Sequence, residues 1–196
     1  MTFADADRYR KAYIDAIERL KSESDGTLTG SPGISVKLTA LYPKYDIFHG
    51  EKAVTALVPI VNDLARRARD ANIHFTIDAE EADRLELSLD VFETMAADDS
   101  LFVREDGSQW TGFGLAVQAY QKRGVPLCQW LIDLAEKHDR KFMIRLVKGA
   151  YWDTEIKISQ VAGLDDFPVF TRKVSTDVSF MACADVLLSA PKRIYG

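Results

Sequence analysis

The chain alternates short unbroken apolar runs with longer stretches whose apolar residues return every three or four positions. The first kind reads as buried strand and the second as amphipathic helix. Residues 3 to 21 put Tyr9, Tyr13, Ala16, Ile17 and Leu20 on one face, and Thr2 and Asp5 have the spacing of a capping box. A stretch rich in Ser, Gly, Asp and Pro, 22 to 33, reads as a loop. A strand is expected from Ile34 to Leu41, stopped by Tyr42 and Pro43. Helical period returns over 51 to 71 through Val54, Leu57, Val58, Val61, Leu64 and Ala68. Pro59 is expected to kink that helix or to mark its true first turn.

The alternation then repeats. Ile73 to Asp78 reads as a strand and 81 to 97 as a helix with Leu85, Leu89, Phe92 and Ala96 inward; 98 to 111 reads as a polar loop. Gly112 to Ala119 is the next strand, and Val125 to Lys137 a helix with Cys128, Leu131, Ile132 and Ala135 inward. Phe142 to Val147 reads as a buried strand, 153 to 161 as a short helix, 167 to 170 as a linking segment and 171 to 189 as a final helix. Ile194 stands at the threshold of a further strand. Strands alternating with helices need crossovers, so they run parallel. The expected fold class is therefore α/β, a partial (βα)8 TIM-like barrel with about four parallel strands and flanking helices. A doubly wound sheet is the alternative. Its phosphate turn is missing, because Gly112-Phe-Gly114 lies inside a strand and lacks a third glycine. A complete barrel takes roughly 250 residues, and this chain has 196, so the sequence reads as one incomplete domain over 1–196, about half of a barrel.

Composition narrows the function. The chain is 47% hydrophobic and 28% charged, ordinary for a soluble domain. Its net charge of -5 offers no basic face to nucleic acid. No apolar run is long enough to span a bilayer, and the first residues carry no secretion signal. Cys128 and Cys183 sit in separate helical segments and read as two reduced, buried thiols rather than a close pair. His49, His74 and His138 are scattered, and no spacing suggests a metal site.

Each expected strand carries a polar side chain near its C-terminal end: Lys37, Asp78, Gln118 and Arg145. In a βα barrel the chemistry sits at that end. The stretch Phe142 to Trp152 delivers Arg145, Lys148, Tyr151 and Trp152 within eight residues. Arg145 is expected to be buried, which demands an acceptor, either an internal carboxylate or a ligand. Lys37 has two partners open to it, Asp78 on the neighbouring strand or an anionic ligand. Tyr151 and Trp152 read either as site residues or as core aromatics.

These stretches resemble a known family. Lys37-Leu-Thr-Ala-Leu-Tyr-Pro43, Ile77-Asp-Ala-Glu-Glu-Ala-Asp-Arg84, Gln118-Ala-Tyr-Gln-Lys-Arg123 and Arg145-Leu-Val-Lys-Gly-Ala-Tyr-Trp-Asp153 are similar to the proline dehydrogenase domain of bacterial proline utilization A, as is Phe170 to Ala184. The resemblance runs from about Ala4 to Tyr195. It implies a distorted (βα)8 barrel that binds FAD at the strand C-termini and oxidises L-proline to pyrroline-5-carboxylate, on the way to glutamate. It implies Arg145 near the flavin N5 edge, Gln118 at the ring, and Asp78 and Ala79 along its pocket. Val147, Lys148, Gly149, Ala150 and Trp152 would wrap the cofactor. Lys37, Arg145 and Tyr151 are the implied catalytic set, with Lys37 on the substrate carboxylate and Tyr151 walling its ring. Flavin reduction builds negative charge that such donors stabilise. A carboxylate substrate favours a fixed cation, and Gly149 allows close backbone approach to a planar ring.

The resemblance covers family strands two to five. The first strand and the last three are unmatched, as is a last helix whose arginine pair clamps the proline carboxylate. The chain alone is therefore expected to be inactive, with open sheet edges that need the missing barrel elements or self-association to cover them. The family implies a cytoplasmic protein, peripheral at the inner membrane in full-length members. Two other functions remain open. One is a non-catalytic fragment serving as a binding or assembly piece. The other is a Schiff-base enzyme on Lys37 or Lys148, which a neighbouring Asp78 would disfavour by stabilising the protonated amine.

Overall fold

A computed structural model describes residues 1–196. Five parallel strands make one open sheet in sequence order: β1 (Ile34–Val36), β2 (Phe75–Ile77), β3 (Phe113–Gln118), β4 (Phe142–Val147) and β5 (Ile194–Tyr195). The helices are α1 (Phe3–Glu23), α2 (Leu38–Leu41), α3 (Gly50–Asp70), α4 (Leu85–Ala96), α5 (Asp99–Phe102), α6 (Gly124–Lys137), α7 (Trp152–Val161) and α8 (Lys173–Leu188). The threshold at Ile194 is thus a fifth strand, paired to β4. Helix α1 starts at the expected capping box: the Asp5 amide donates to the Thr2 hydroxyl at 3.2 Å and the Thr2 amide to Asp5 at 2.9 Å.

Two expectations fail for identifiable reasons, and of the two roles open to Pro59 the first-turn role is excluded. The first strand stops at Val36, and Leu38 and Leu41 bury one side of the short α2 instead. Pro59 neither starts α3 nor ends it; it is exposed, so the carbonyl its ring deprives of a partner is on the solvent side. The stretch 98 to 111 contains α5 and an antiparallel bridge between Val103 and Gln109. Leu101, Phe102 and Trp110 are buried there, too sparse in sequence to show a period.

The register divides the sheet into two faces. Phe75, Phe113 and Phe142 point into the helical layer, where Phe92 of α4 stacks on Phe113 at 4.7 Å and meets Phe142 edge-on at 4.9 Å. This aromatic cluster is the centre of the core. On the other face, Ser35, Thr76, Gly114, Met143 and Tyr195 form one row across all five strands. Most of that row is small, which leaves a hollow of about 390 Å³ lined by Ser35, His74, Thr76, Met143, Arg145 and Tyr195. The sheet curls around it. The Tyr195 hydroxyl donates to the Thr111 carbonyl at 2.8 Å and lies 3.1 Å from His74 Nε2, so the tip of β5 reaches chain that leads into β3 and β2.

That hollow corrects the reading of β4 as a buried strand. Phe142 and Ile144 are buried, but the Arg145 side chain is 46% exposed, because its face looks into open space. Cys128 and Cys183 are also closer than expected. Helices α6 and α8 pack together and bring their two buried thiols near one another. That proximity, with burial, pushes the Cys128 thiol well up. No helix is long and apolar enough to cross a membrane.

Candidate functional site

The strand tips named from sequence converge at the C-terminal mouth of the hollow. Val36 pairs Ile77, and Ile77 pairs Leu115. The next residues along, Lys37, Asp78 and Ala116, therefore continue as one row, and Ala116 pairs Arg145. Ala116 is small enough for Arg145 to reach over it, and its guanidinium forms an ion pair with Asp78. Arg145 thus has an internal carboxylate as a partner, and its half-exposed side chain leaves the ligand role open as well.

Lys37 does not pair with Asp78. Its amine lies 3.5 Å from the Tyr151 hydroxyl, which arrives from the loop after β4 on the far side of the mouth. The Tyr151 hydroxyl, by charge and hydrogen bond, holds the Lys37 amine above its ordinary value, against a smaller opposing effect of burial. The Lys37 amide donates to the Tyr13 hydroxyl of α1 at 3.1 Å, which anchors the tip from beneath.

Gln118 is buried, and both ends of its amide are occupied. Nε2 donates to the Glu80 carbonyl at 2.8 Å, and Oε1 accepts from the Ala150 amide at 2.9 Å. Val147 pairs Gln118 in the sheet, and its carbonyl accepts from the Ala119 amide at 2.8 Å. Ala79 is half-buried between Asp78 and Glu80. Trp152 is 42% exposed at the start of α7, and its indole donates to the Phe170 carbonyl at 3.0 Å. It is no core aromatic. Lys148 turns away from the mouth and pairs with Asp177 of α8, holding that carboxyl below its usual range.

Gly149 has φ +148°, and a Cβ there would fall against the Tyr120 ring. A protein ring, that of Tyr120, is thus one planar group that requires this glycine. Tyr120 also ties down the loop: its amide donates to the Lys148 carbonyl at 2.7 Å, and its carbonyl accepts from the Phe170 amide at 2.8 Å.

Sequence reasoning missed three supporting residues. Glu80 is buried with its carboxylate on Thr39, and burial pushes its carboxyl up. Glu155 of α7 is buried and accepts from the Ala82 amide at 2.6 Å. Tyr120 lies under Gly149. Glu80 and Tyr120 lie inside two of the motifs quoted above but were given no role, and Glu155 stands in a helical stretch where nothing local marks it.

Comparison with known proteins agrees with this architecture. The family model for proline dehydrogenase matches residues 1–196. The bifunctional protein PutA of Salmonella typhimurium is 46% identical over 196 residues, 100% of this chain and 14% of that protein. The PutA protein of Rhizobium meliloti is 48% identical over 189 residues, 94% of this chain and 15% of that protein. The chain thus spans about one-seventh of the length of these curated relatives. A crystal structure of a Bradyrhizobium japonicum proline utilization A variant superposes with TM-score 0.93 at 52% identity, covering 99% of this chain and 20% of that one. Proline utilization A from Bdellovibrio bacteriovorus, inactivated by N-propargylglycine, gives TM-score 0.87 at 25% identity, covering 98% and 21%.

Proposed function

The chain belongs to the proline dehydrogenase family, and from that premise we propose that it carries the flavin-facing part of a TIM-like barrel that oxidises L-proline to pyrroline-5-carboxylate. The observation that carries this is the mouth itself. Lys37 and Tyr151 meet across it from β1 and β4, while Arg145 and Asp78 close the row between them.

The residues suit a planar, electron-accepting ligand. The half-exposed Arg145 presents guanidinium N–H groups over the small Ala116, and Trp152 offers an exposed ring beside the loop from Val147 to Ala150. Bound FAD would be the two-electron acceptor, taking hydride from the proline ring. Arg145 would hold its donors toward the ring, where reduction builds negative charge, and Asp78 orients the guanidinium. Gln118 Oε1 holds the loop backbone through the Ala150 amide, and the second N–H of its amide nitrogen would donate to the ring. Lys37, kept protonated, supplies the fixed cation for the substrate carboxylate, and Tyr151 bounds the substrate ring.

The family resemblance implies an arginine pair that completes the carboxylate clamp outside the matched strands, and we propose that these 196 residues alone turn over no proline. Helix α8 is apolar on several sides: Val174, Val178, Met181 and Leu188 are exposed although Cys183 and Leu187 are buried. With both sheet edges open, this surface is covered by the remaining barrel elements or by self-association. We place the reaction in the cytoplasm, peripheral to the inner membrane in full-length members of the family.

Titration of the folded chain with FAD, followed by quenching of flavin fluorescence, tests this. Saturable quenching that Arg145→Met weakens supports the assignment. A folded chain that never takes up FAD favours the second function, a non-catalytic assembly piece.

A further inference from the structure

The two residues that meet across the mouth are each close to a backbone group held by the same buried line of hydrogen bonds. Glu80, 9% exposed, stands at its centre. Its Oε1 accepts from the Thr39 amide at 3.1 Å and its Oε2 from the Thr39 hydroxyl, two residues beyond Lys37. Its own carbonyl accepts from Gln118 Nε2 at 2.8 Å, and Gln118 Oε1 accepts from the Ala150 amide at 2.9 Å, one residue before Tyr151. Asp78, the partner of Arg145, lies two residues before Glu80 in the same segment. The segments after β1, β2 and β4 are therefore joined in one line through Glu80 and the last residue of β3.

A carboxylate out of water costs free energy unless its acceptors are filled. An apolar side chain of similar volume would remove that cost and would also release Thr39. We propose that Glu80 is a positioning residue that sets the separation of Lys37 from Tyr151. Its bearing on catalysis rests on the proline dehydrogenase site proposed above, but its effect on the loops does not.

Amide hydrogen exchange on the 196-residue chain separates the two. In Glu80→Ala, exchange at both Thr39 and Ala150 should rise by about tenfold or more, while Leu115 and Val117 in β3 keep their protection. The Ala150 response is the decisive one, because that amide does not touch the Glu80 side chain. Glu80→Gln, whose amide oxygen still accepts from Thr39, should restore protection at both positions. A rise at Thr39 with Ala150 unchanged overturns the proposal, as does failure of the Gln variant to restore Ala150. If Glu80→Ala does not fold, Thr39→Val takes its place: a smaller rise at Ala150 is expected, and no rise overturns it. FAD titration of the same samples is read separately. A coupled loop response without FAD uptake counts against the flavin assignment and leaves the role of Glu80 intact.

Discussion

Arg145 and Asp78 form an ion pair across an intervening strand, because the residue between them on β3 is Ala116. The pair is open to solvent on the arginine side, so it holds little of the fold together. Arg145→Met should cost less than about 1 kcal/mol of stability, as exposed ion pairs do. The same change should weaken flavin uptake severalfold. Urea denaturation and FAD titration of one preparation measure both. Ala116→Leu provides the complement: both charges stay, but the added bulk blocks the reach of Arg145 and should weaken FAD uptake as the Met variant does.

Gly149 is constrained twice, by its positive φ and by the Tyr120 ring beneath it. Gly149→Ala should therefore destabilise the chain by about 1–3 kcal/mol, the range for a strained backbone position. Part of that cost is steric, so Tyr120→Ala combined with it should cost less than the two single changes added together. Strict additivity in thermal melts would mean that the ring and the glycine do not interact.

Much of this was legible because each helix and strand follows its own period. The tips Lys37, Asp78, Gln118 and Arg145 could be placed at one end of one sheet from the alternation of runs alone. What each tip touches could not. The pairing of Arg145 with Asp78 depends on the size of Ala116, a residue with no chemistry of its own to draw notice. The exposure of Arg145 depends on the curl of the sheet, visible only through Tyr195 reaching His74 and Thr111. Residues 38 to 41 deceived because Leu-Thr-Ala-Leu suits a strand as well as a single helical turn. Glu80 and Glu155 stayed hidden because a buried acid and a surface acid at a helix start look alike in sequence.

Lys37 should remain a cation throughout the neutral range. Its amine is held up chiefly by the Tyr151 hydroxyl, with Asp78 and Glu80 adding to the effect. A raised lysine is a poor Schiff-base nucleophile, since only the free amine attacks. Borohydride treatment with a small carbonyl compound at neutral pH should label Lys37 more slowly than an exposed lysine such as Lys157 in peptide mass spectra. Tyr151→Phe removes the main cause and should lower the pH at which Lys37 first labels. Labelling of Lys37 faster than of the exposed lysines at about pH 7 would revive the Schiff-base function.

Glu155 links pH to the joint between α7 and the turn at Ala82. Burial pushes its carboxyl up, and the Ala82 amide opposes that only in part. The folded chain therefore holds this proton more tightly than the unfolded chain does. The contribution to stability is fully present below the unfolded value of about 4.3 and is lost as pH rises through the raised folded value. Glu155→Gln keeps an acceptor for the Ala82 amide but has nothing to ionise. Its stability relative to the unaltered chain should climb with pH from about 4 and then level off, once Glu155 is charged in both states. Denaturation midpoints of the two proteins across that range give the difference directly, and taking the difference removes carboxylates such as Asp177, whose lowered values act in the opposite sense. A difference that stays flat with pH would mean that Glu155 titrates normally and that the Ala82 bond offsets its burial in full.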